Sequence, residues 1–161
     1  MNDPQDAEEY VKKKVDWLRA HGGKRALDVG CGTGRHALYL DSVSYQVSAT
    51  EEDETLLAVA RALAKKQCGL IDFEAAPPTA LPFADNGFDY VVAWHVIDRG
   101  DAAFARTALS EIRRVLKSGK IFQGAATVSS EADMRALLEG FELTDLNETG
   151  DHAWRWTAKR R

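Results

Sequence analysis

Apolar residues follow two spacings along the chain, one helical and one typical of strands. Val11, Val15 and Leu18 recur every three or four residues, which predicts an amphipathic helix over residues 6–21 that a pair of glycines ends. Residues 25–29 form a short and almost continuously apolar run, as expected of a buried strand. The pattern therefore opens with a helix that leads into a strand.

Strand and helix patterns then alternate through the rest of the chain. A glycine-rich loop follows the first strand and leads into a helix that runs to about Leu40, and the segment "PPTALPFADNGF" predicts a loop because of its prolines. Further strands are predicted at residues 45–50, 70–75, 88–96 and 119–127, and further helices at 53–66 and 101–117 and from residue 130 until Gly140. The helix at 53–66 is expected to bury Leu56, Ala60 and Leu63. Residues 141–149 and 152–160 alternate, which predicts a closing antiparallel hairpin.

This alternation predicts a three-layer α/β sandwich with a mostly parallel sheet. A length of 161 residues suits a single domain, so residues 1–161 are expected to form one unit with one main site. In open sheets of this kind, ligands bind at the carboxyl ends of the strands near the point where the strand order reverses. The loop after the first strand lies at that edge.

Composition narrows the classes of partner and location. The net charge of −4 gives no basic surface that could follow a phosphate backbone, so nucleic acid is not an expected partner. The chain has no apolar stretch of the ~18 residues needed to cross a membrane and no secretion-type N-terminal segment, so a cytoplasmic location is expected. Cys31 and Cys68 lack metal-binding or redox spacing, so no metal site and two buried thiols are expected.

The loop after the first strand places Gly30, Gly32 and Gly34 at every second position, with Asp28 just before them. Glycines there let the backbone approach a ligand closely, although a single glycine would more often serve only to turn the chain. The spacing is G-x-G-x-G rather than the dinucleotide pattern G-x-G-x-x-G, whose third glycine would fall at Arg35. A P-loop ending in Gly-Lys-Ser/Thr is also absent from the sequence.

Two acids decide between the remaining ligands. Asp28 would repel a pyrophosphate but would suit a positively charged group. Glu51 follows Gly30 by 21 residues, close to the ~20 at which a carboxylate accepts hydrogen bonds from ribose hydroxyls in nucleoside-binding α/β folds. An adenosine that carries positive charge and no phosphates fits both acids. S-adenosylmethionine is such a molecule.

Four segments carry a family resemblance, in order and over essentially the whole chain. They are "LDVGCGTGRHALYL", "VSATEEDETLLAVA", "LPFADNGFDYVVAWHVI" and "LSEIRRVLKSGKIF". Together they resemble the class I S-adenosylmethionine-dependent methyltransferases, in particular the type 11-like group that acts on small molecules. The resemblance implies a Rossmann-like sheet of order 3-2-1-4-5-7-6 with an antiparallel last strand. It also implies that Asp28, Gly30, Cys31, Gly32 and Gly34 surround the methionine part, that Glu51 binds the ribose and that Glu52 lies beside the adenine.

The chain departs from that family at the positions that are expected to lie beside the adenine. Several members have Gly-Asp-Ala before the LPF segment, whereas this chain has Ala76, Pro77 and Pro78. Pro77 has no carboxylate and Pro78 has no N–H, so two adenine contacts are lost. At ~0.5 to 1.5 kcal/mol each, their loss would weaken binding by about one to two orders of magnitude. Thr79 is the candidate replacement.

The part of the chain that covers the acceptor is also shortened. Only Val128 and Ser129 separate the fifth strand from the next helix, where many relatives insert a covering segment. The cap is therefore expected from the N-terminal region 1–24, the proline-rich loop, the loop at residues 94–102 or a second subunit of a homodimer. Tyr10 in the first helix either closes over the methionine part or packs in the core.

Trp94 and His95 end the fourth strand, where the family's acceptor meets the methyl group. Trp94 is expected to contact the cofactor. Histidine exchanges protons near neutral pH, so His95 is the candidate general base, although a packing role at the strand end stays open.

The sequence therefore predicts a methyltransferase that uses S-adenosylmethionine on a small-molecule acceptor. One alternative is a non-catalytic methyltransferase-like binding module with a weakened cofactor site. Another is a nucleic-acid methyltransferase, against which the acidic balance and the lack of an Asn/Asp-Pro-Pro-aromatic segment both argue.

Overall fold

A sheet with helices on both faces organises residues 5–161, the part of the chain that this computed structural model describes. The strands are β1 (Arg25–Val29), β2 (Gln46–Thr50), β3 (Asp72–Glu74), β4 (Phe88–Trp94), β5 (Leu116–Thr127), β6 (Phe141–Gly150) and β7 (Ala153–Arg160). The helices are α1 (Glu9–Arg19), α2 (Arg35–Ser42), α3 (Glu54–Lys66), α4 (Ala102–Val115) and α5 (Glu131–Leu137). None of these helices is long and apolar enough to cross a membrane.

The strands hydrogen-bond in the order β3-β2-β1-β4-β5-β7-β6. The pairs from β3 to β5 are parallel, whereas β7 runs antiparallel to both β5 and β6. The predicted fold class, strand order and antiparallel last strand are therefore confirmed. The order reverses between β1 and β4, so the loop after β1 lies at the switch point of the sheet.

Alternate residues of the central strands face two separate cores. Leu27 and Val91 pack in one core with α4 and α5, whereas Ala26 and Tyr90 pack in the other core with α1 and α2. Asp28 has the same parity as Ala26 and therefore points towards α2. The alternation of β1 thus decides which helix covers this acid.

The predicted boundary between the fourth helix and the fifth strand differs from the structure, and so does one predicted helix face. The sequence places Leu116 in the preceding helix, whereas Leu116 begins β5 and pairs with Phe88, because full burial holds it in the sheet. Helix α3 buries Leu57, Ala60 and Ala64 rather than the stripe through Leu56 and Leu63. The small side chain of Ala60 lets α3 approach the glycine loop, where a Cβ on Gly34 would lie 3.2 Å from that of Ala60.

The prediction of two buried cysteines holds for one of them. Cys31 is buried, but Cys68 is exposed just after α3, where its φ of 58° places it in the left-handed region. This conformation ends the helix and turns the side chain to solvent. Trp154 and Trp156 alternate along β7 and face one core, where Trp156 packs edge-on against Phe122.

Residues 75–87 connect β3 to β4 as a loop without a helix, as the prolines predict. The Ala80 N–H donates to the Pro77 carbonyl, closing a turn whose second residue is Pro78. Arg114 of α4 holds the rest of the loop, because its guanidinium donates to the carbonyls of Leu81 and Phe83 at 3.0 and 2.7 Å. One arginine therefore fixes the part of the loop that follows the turn.

A chain of polar contacts crosses the sheet below α1. The Tyr90 hydroxyl donates to Gln123, whose amide donates to the Thr157 hydroxyl at 2.8 Å. Thr157 also hydrogen-bonds Tyr10, and the Tyr10 hydroxyl donates to Asp145 at 2.6 Å. Each of these groups has a hydrogen-bond partner, so the series of contacts joins β4, β5, β7, α1 and β6. We call this series, from Tyr90 to Asp145, the polar seam.

Candidate cofactor site and active site

The glycine loop adopts a backbone conformation that favours glycine at its key positions. Gly30, Gly32 and Gly34 have φ values of 62°, 59° and 89°, in the left-handed region. A Cβ on Gly30 would lie 2.8 Å from Val96 and 2.9 Å from Arg99, whereas one on Gly32 would meet nothing within 4 Å. The loop is therefore packed at its first glycine and open at its second.

Glu51 ties the tip of β2 to this loop. Its carboxylate is 2% exposed and accepts hydrogen bonds at 3.0 Å from the backbone N–H groups of Gly32 and Asp53. The Cys31 N–H donates to the Thr50 carbonyl at 2.8 Å. A carboxylate has about four acceptor positions, so Glu51 keeps acceptor capacity for a ligand. Its predicted contact with a ribose stays a prediction.

Asp28 lies beneath the loop and not at its surface. Its carboxylate is buried and accepts the N–H of Ala37, in the first turn of α2, at 3.0 Å. Burial raises the pKa of Asp28 to about 7, against the opposing effects of that hydrogen bond and of Arg35. Its predicted role beside a positive ligand remains consistent with this position, because a nearby cation favours the charged carboxylate.

Arg99 lies directly over the glycine loop. Its guanidinium donates to the Gly30 carbonyl at 3.1 Å and to the His95 carbonyl at 3.0 Å, and lies 3.5 Å from a Glu51 oxygen. Three oxygen acceptors thus surround one cation at the switch point, and a positively charged ligand requires acceptors of this kind. Sequence reasoning missed Arg99; the signal was a basic residue just after the fourth strand.

The segment before α1 covers the far side of the same loop. Gln5 exchanges two hydrogen bonds with Thr33, and Arg35 pairs with Glu8 at 3.0 Å. The predicted N-terminal cap therefore has contacts in the described residues, whereas its first part, residues 1–4, lies outside them. Its role as a cap stays a prediction.

An aromatic cluster lies between α1, α2 and the tip of β4. The ring of Trp94 is 5.6 Å from His36 and 6.4 Å from Tyr10. His36 is buried and accepts the Glu8 N–H, and burial lowers its pKa to about 3. Tyr10 points its hydroxyl towards β6 and β7 instead of the glycine loop, which favours the core alternative. Trp94 lies half-buried at the expected strand tip, and its contact with a cofactor stays a prediction.

His95 and Asp98 form a pair at the end of β4. His95 has a φ of 54°, and its Nδ1 lies 3.0 Å from the Asp98 carboxylate. Asp98 also accepts the Thr127 N–H at 2.8 Å. Partial burial opposes the charge of Asp98, but the hydrogen bonds from His95 and Thr127 hold its pKa below the usual value.

A cavity of about 570 Å³ opens on the other side of Asp98. Apolar side chains of α4 and α5 form much of its wall, and Asp98, Arg106 and His152 add charged and polar groups. Its volume lies in the range of small-molecule pockets, ~300 to 1,000 Å³. The cavity therefore reaches Asp98 at the end of β4, whereas neither His95 nor a residue of the glycine loop lines it.

The other predicted contacts lie around the same edge. Glu52 is exposed directly after β2, and Thr79 is half-buried in the turn that Pro78 begins. Both positions stay predictions for the adenine end of the site. Cys31 lies between the first two glycines, with its thiol buried.

Comparison with known proteins supports what this geometry indicates. The family model described as a methyltransferase domain matches residues 27–123, which run from β1 into β5. This chain belongs to that methyltransferase family. S-adenosylmethionine is the cofactor of the family, and the cation-accepting oxygens around Arg99 fit a ligand of this charge.

Relatives of this methyltransferase domain are longer than the chain. A protein named as a methyltransferase in Geobacillus sp. (strain WCH70) is 41% identical over 89% of this chain and 65% of its own length. An O-methyltransferase from Aspergillus nomiae is 36% identical over 70% of this chain and 50% of its own length. The chain thus spans about two fifths to two thirds of the curated relatives it matches most strongly.

Solved structures share the fold of the methyltransferase domain. A protein from Pyrococcus horikoshii OT3 superposes with a TM-score of 0.80 at 18% identity, over 98% of this chain and 94% of that one. Magnesium protoporphyrin IX methyltransferase from Synechocystis PCC 6803, crystallised with bound SAM, has a TM-score of 0.78 at 21% identity, over 95% and 79% of the two chains. At these identities the likeness concerns the fold.

Proposed function

We propose that this domain transfers a methyl group from S-adenosylmethionine to a hydroxyl of a small-molecule acceptor. The observation that carries the proposal is the His95–Asp98 pair at the tip of β4. Arg99 links the His95 carbonyl to the Gly30 carbonyl, and Asp98 lines the cavity. Relatives from Aspergillus and Penicillium species are named O-methyltransferases, which supports an oxygen nucleophile.

Residues on the glycine-loop side would hold the cofactor. Gly30, Gly32 and Gly34 present bare backbone, and Glu51 keeps acceptor positions at the tip of β2. Asp28 lies beneath the loop, where a bound cation would favour its charged form. When bound, S-adenosylmethionine supplies an electrophilic methyl group on a sulfonium.

Residues on the other side would prepare the nucleophile. A hydroxyl is a poor nucleophile at neutral pH, so removal of its proton assists attack. Asp98 holds Nδ1 of His95, which leaves Nε2 to accept the hydroxyl proton as the oxygen–carbon bond forms and the sulfur–carbon bond breaks. His95 is 47% exposed on its side chain, so it has room to meet an acceptor.

The cavity beside Asp98 suits the body of the acceptor. Its walls include Ala105, Val128 and Leu137, which favour an apolar or aromatic skeleton. Asp98 and Arg106 at its rim add polar contacts that would orient a hydroxylated molecule. The acceptor class is therefore a small apolar molecule that carries a hydroxyl group.

The test is a methylation assay with a panel of small hydroxylated aromatic and aliphatic acceptors. His95→Ala should lower kcat by about 10²- to 10⁴-fold, with the affinity for S-adenosylhomocysteine unchanged. Asp98→Asn should lower kcat less, because the imidazole remains. His21→Ala, an exposed histidine that stacks on Trp17, is the matched control. An unchanged rate for His95→Ala would exclude the proposed base.

The non-catalytic binding module remains the second candidate. Arg99 over the glycine loop and the Pro77-Pro78 sequence both favour a weakened cofactor site. Calorimetry with S-adenosylhomocysteine separates the two functions. No binding at millimolar ligand would favour the binding module, whereas binding that Gly32→Val abolishes would support the enzyme. The cytoplasmic location and the homodimer expected from the sequence stay predictions.

A further inference from the structure

The oxygens around Arg99 belong to parts of the chain that are far apart in sequence. The Gly30 carbonyl ends β1, the His95 carbonyl ends β4 and the Glu51 carboxylate ends β2. All three approach the guanidinium within 3.5 Å. The strand tips thus form a ring of acceptors for a positive group, and the chain's own arginine occupies it.

Arg99 covers the surface that the glycine loop exposes at its first glycine. A Cβ on Gly30 would lie 2.9 Å from Nη1 and 3.2 Å from Cζ of Arg99. The guanidinium therefore rests directly on the backbone that is expected to meet the methionine part of the cofactor. The guanidinium of Arg99 and the methionine part of the cofactor cannot occupy this space at once.

We propose that Arg99 is a cationic placeholder that selects for nucleosides carrying their own positive group. The inference rests on the proposed cofactor site. In the ligand-free protein, Arg99 satisfies the acceptor ring. A ligand with an ammonium group can displace Arg99 and donate to the Gly30 and His95 carbonyls, while its ribose hydroxyls satisfy Glu51. A neutral nucleoside that displaced Arg99 would leave the two carbonyls without a donor.

The side chain of Arg99 has the freedom that this exchange requires. It is 34% exposed, so it can leave the ring towards solvent without unfolding the neighbouring strands. The contacts of Arg99 then stabilise only the ligand-free state. Its removal should therefore increase the affinity for the ligands that displace it and leave the others unchanged.

Calorimetry with two ligands tests this inference. S-adenosylhomocysteine carries an ammonium group, whereas 5′-methylthioadenosine shares the adenosine and the sulfur but lacks the amino acid. Arg99→Ala should bind S-adenosylhomocysteine about tenfold more tightly than the wild type, because the ligand no longer has to displace one or two hydrogen bonds of Arg99. The variant and the wild type should bind 5′-methylthioadenosine with the same affinity. Arg113→Ala, at an exposed position of α4, should match the wild type with both ligands.

Other results would overturn the inference in distinguishable ways. Weaker binding of S-adenosylhomocysteine by Arg99→Ala would mean that Arg99 contacts the ligand's carboxylate instead. Equal binding by both proteins would mean that Arg99 does not compete. Failure of the wild type and Arg99→Ala to bind either ligand would overturn the proposed cofactor site as well.

A measurement on the unmodified protein gives a second readout. The Nε–H of Arg99 donates to the His95 carbonyl at 3.0 Å, so its ¹⁵N NMR signal should exchange slowly with solvent in the ligand-free protein. Addition of S-adenosylhomocysteine should return this signal to fast exchange, whereas 5′-methylthioadenosine should leave it protected. Fast exchange before any ligand is added would contradict the placeholder.

Discussion

The carboxylate of Glu51 accepts a hydrogen bond from the Gly32 N–H at 3.0 Å, which joins the tip of β2 to the loop after β1. Its second oxygen accepts the Asp53 N–H at the same distance. Glu51 therefore has a structural role in shaping the loop, besides any contact it makes with a ribose. Its substitution should affect both folding and binding.

Glu51→Gln should show both effects. An amide has one acceptor oxygen, so its NH₂ group must face one of the two backbone N–H donors that the carboxylate now satisfies. We expect the free energy of unfolding to fall by about 1–3 kcal/mol and the affinity for S-adenosylhomocysteine to fall with it. Urea denaturation and calorimetry measure the two quantities. Glu54→Gln, at an exposed position of α3, should change neither, and a fully stable Glu51→Gln would contradict the assigned role.

Asp28→Asn should change the pH dependence of stability. The pKa of Asp28 rises from 3.8 to about 7 on folding, so the folded protein holds a proton that the unfolded chain releases between these values. Stability from this group is present below pH 3.8 and is lost as the pH rises to about 7. The variant lacks this loss, so its stability relative to wild type should rise across the window, by up to about 4 kcal/mol.

Denaturation at several pH values measures the difference in stability between Asp28→Asn and the wild type. The pH dependence that His36 adds to stability has the opposite sign. Its pKa falls from 6.5 to about 3 on folding, so its contribution is present above pH 6.5 and is lost as the pH falls towards 3. The two groups therefore partly cancel in the wild type. Only the comparison of Asp28→Asn with wild type isolates Asp28, and a constant difference across the window would refute its raised pKa.

Gly124→Ala should destabilise the centre of the sheet. Gly124 pairs with Trp156, and a Cβ there would lie 2.3 Å from the indole ring and 2.7 Å from the Ala93 carbonyl. Because both neighbours are buried, we expect a loss of about 1–3 kcal/mol in the free energy of unfolding. Thermal or urea denaturation tests it. Gly87→Ala, where a Cβ would come no closer than 3.4 Å to its neighbours, provides the comparison.

Arg114→Lys should loosen the loop between β3 and β4. The guanidinium reaches the Leu81 and Phe83 carbonyls and also pairs with Glu111 and Asp85, a fork that a single ammonium cannot reproduce. We expect faster hydrogen exchange and easier proteolysis at residues 81–85, with the sheet unaffected. Arg113→Lys, at the preceding position of α4, should leave the loop protected from exchange and proteolysis. Equal protection in both variants would show that the prolines alone fix the loop.

Local pattern was sufficient to predict most of the fold. The alternation of strands and helices, together with the family motifs, predicted the strand order that hydrogen bonding confirms. The buried face of α3 could not be predicted in the same way, because Leu56 and Leu57 are both apolar and neighbouring. The structure selects Leu57, since Ala60 and Ala64 lie on the same stripe and let the helix approach the sheet.

The candidate site was predicted where it depends on one stretch of chain. Asp28, Glu51 and the glycines stand out in sequence because their spacing is local and regular. Arg99 and Asp98 did not, because their meaning comes from contacts with Gly30 and Thr127, which lie 69 and 29 positions away. Tertiary contacts of this kind have no period along the sequence.

The polar seam that joins Tyr10 to Thr157 and Asp145 makes the two ends of the chain depend on each other. Removal of the first helix would leave the Thr157 and Asp145 side chains without the Tyr10 hydroxyl. Trimming β7 would remove Thr157, one of the two hydrogen-bond partners of the Tyr10 hydroxyl. Tags, fusions and shortened versions of this domain should therefore respect both ends together, since disturbing either one opens the same seam.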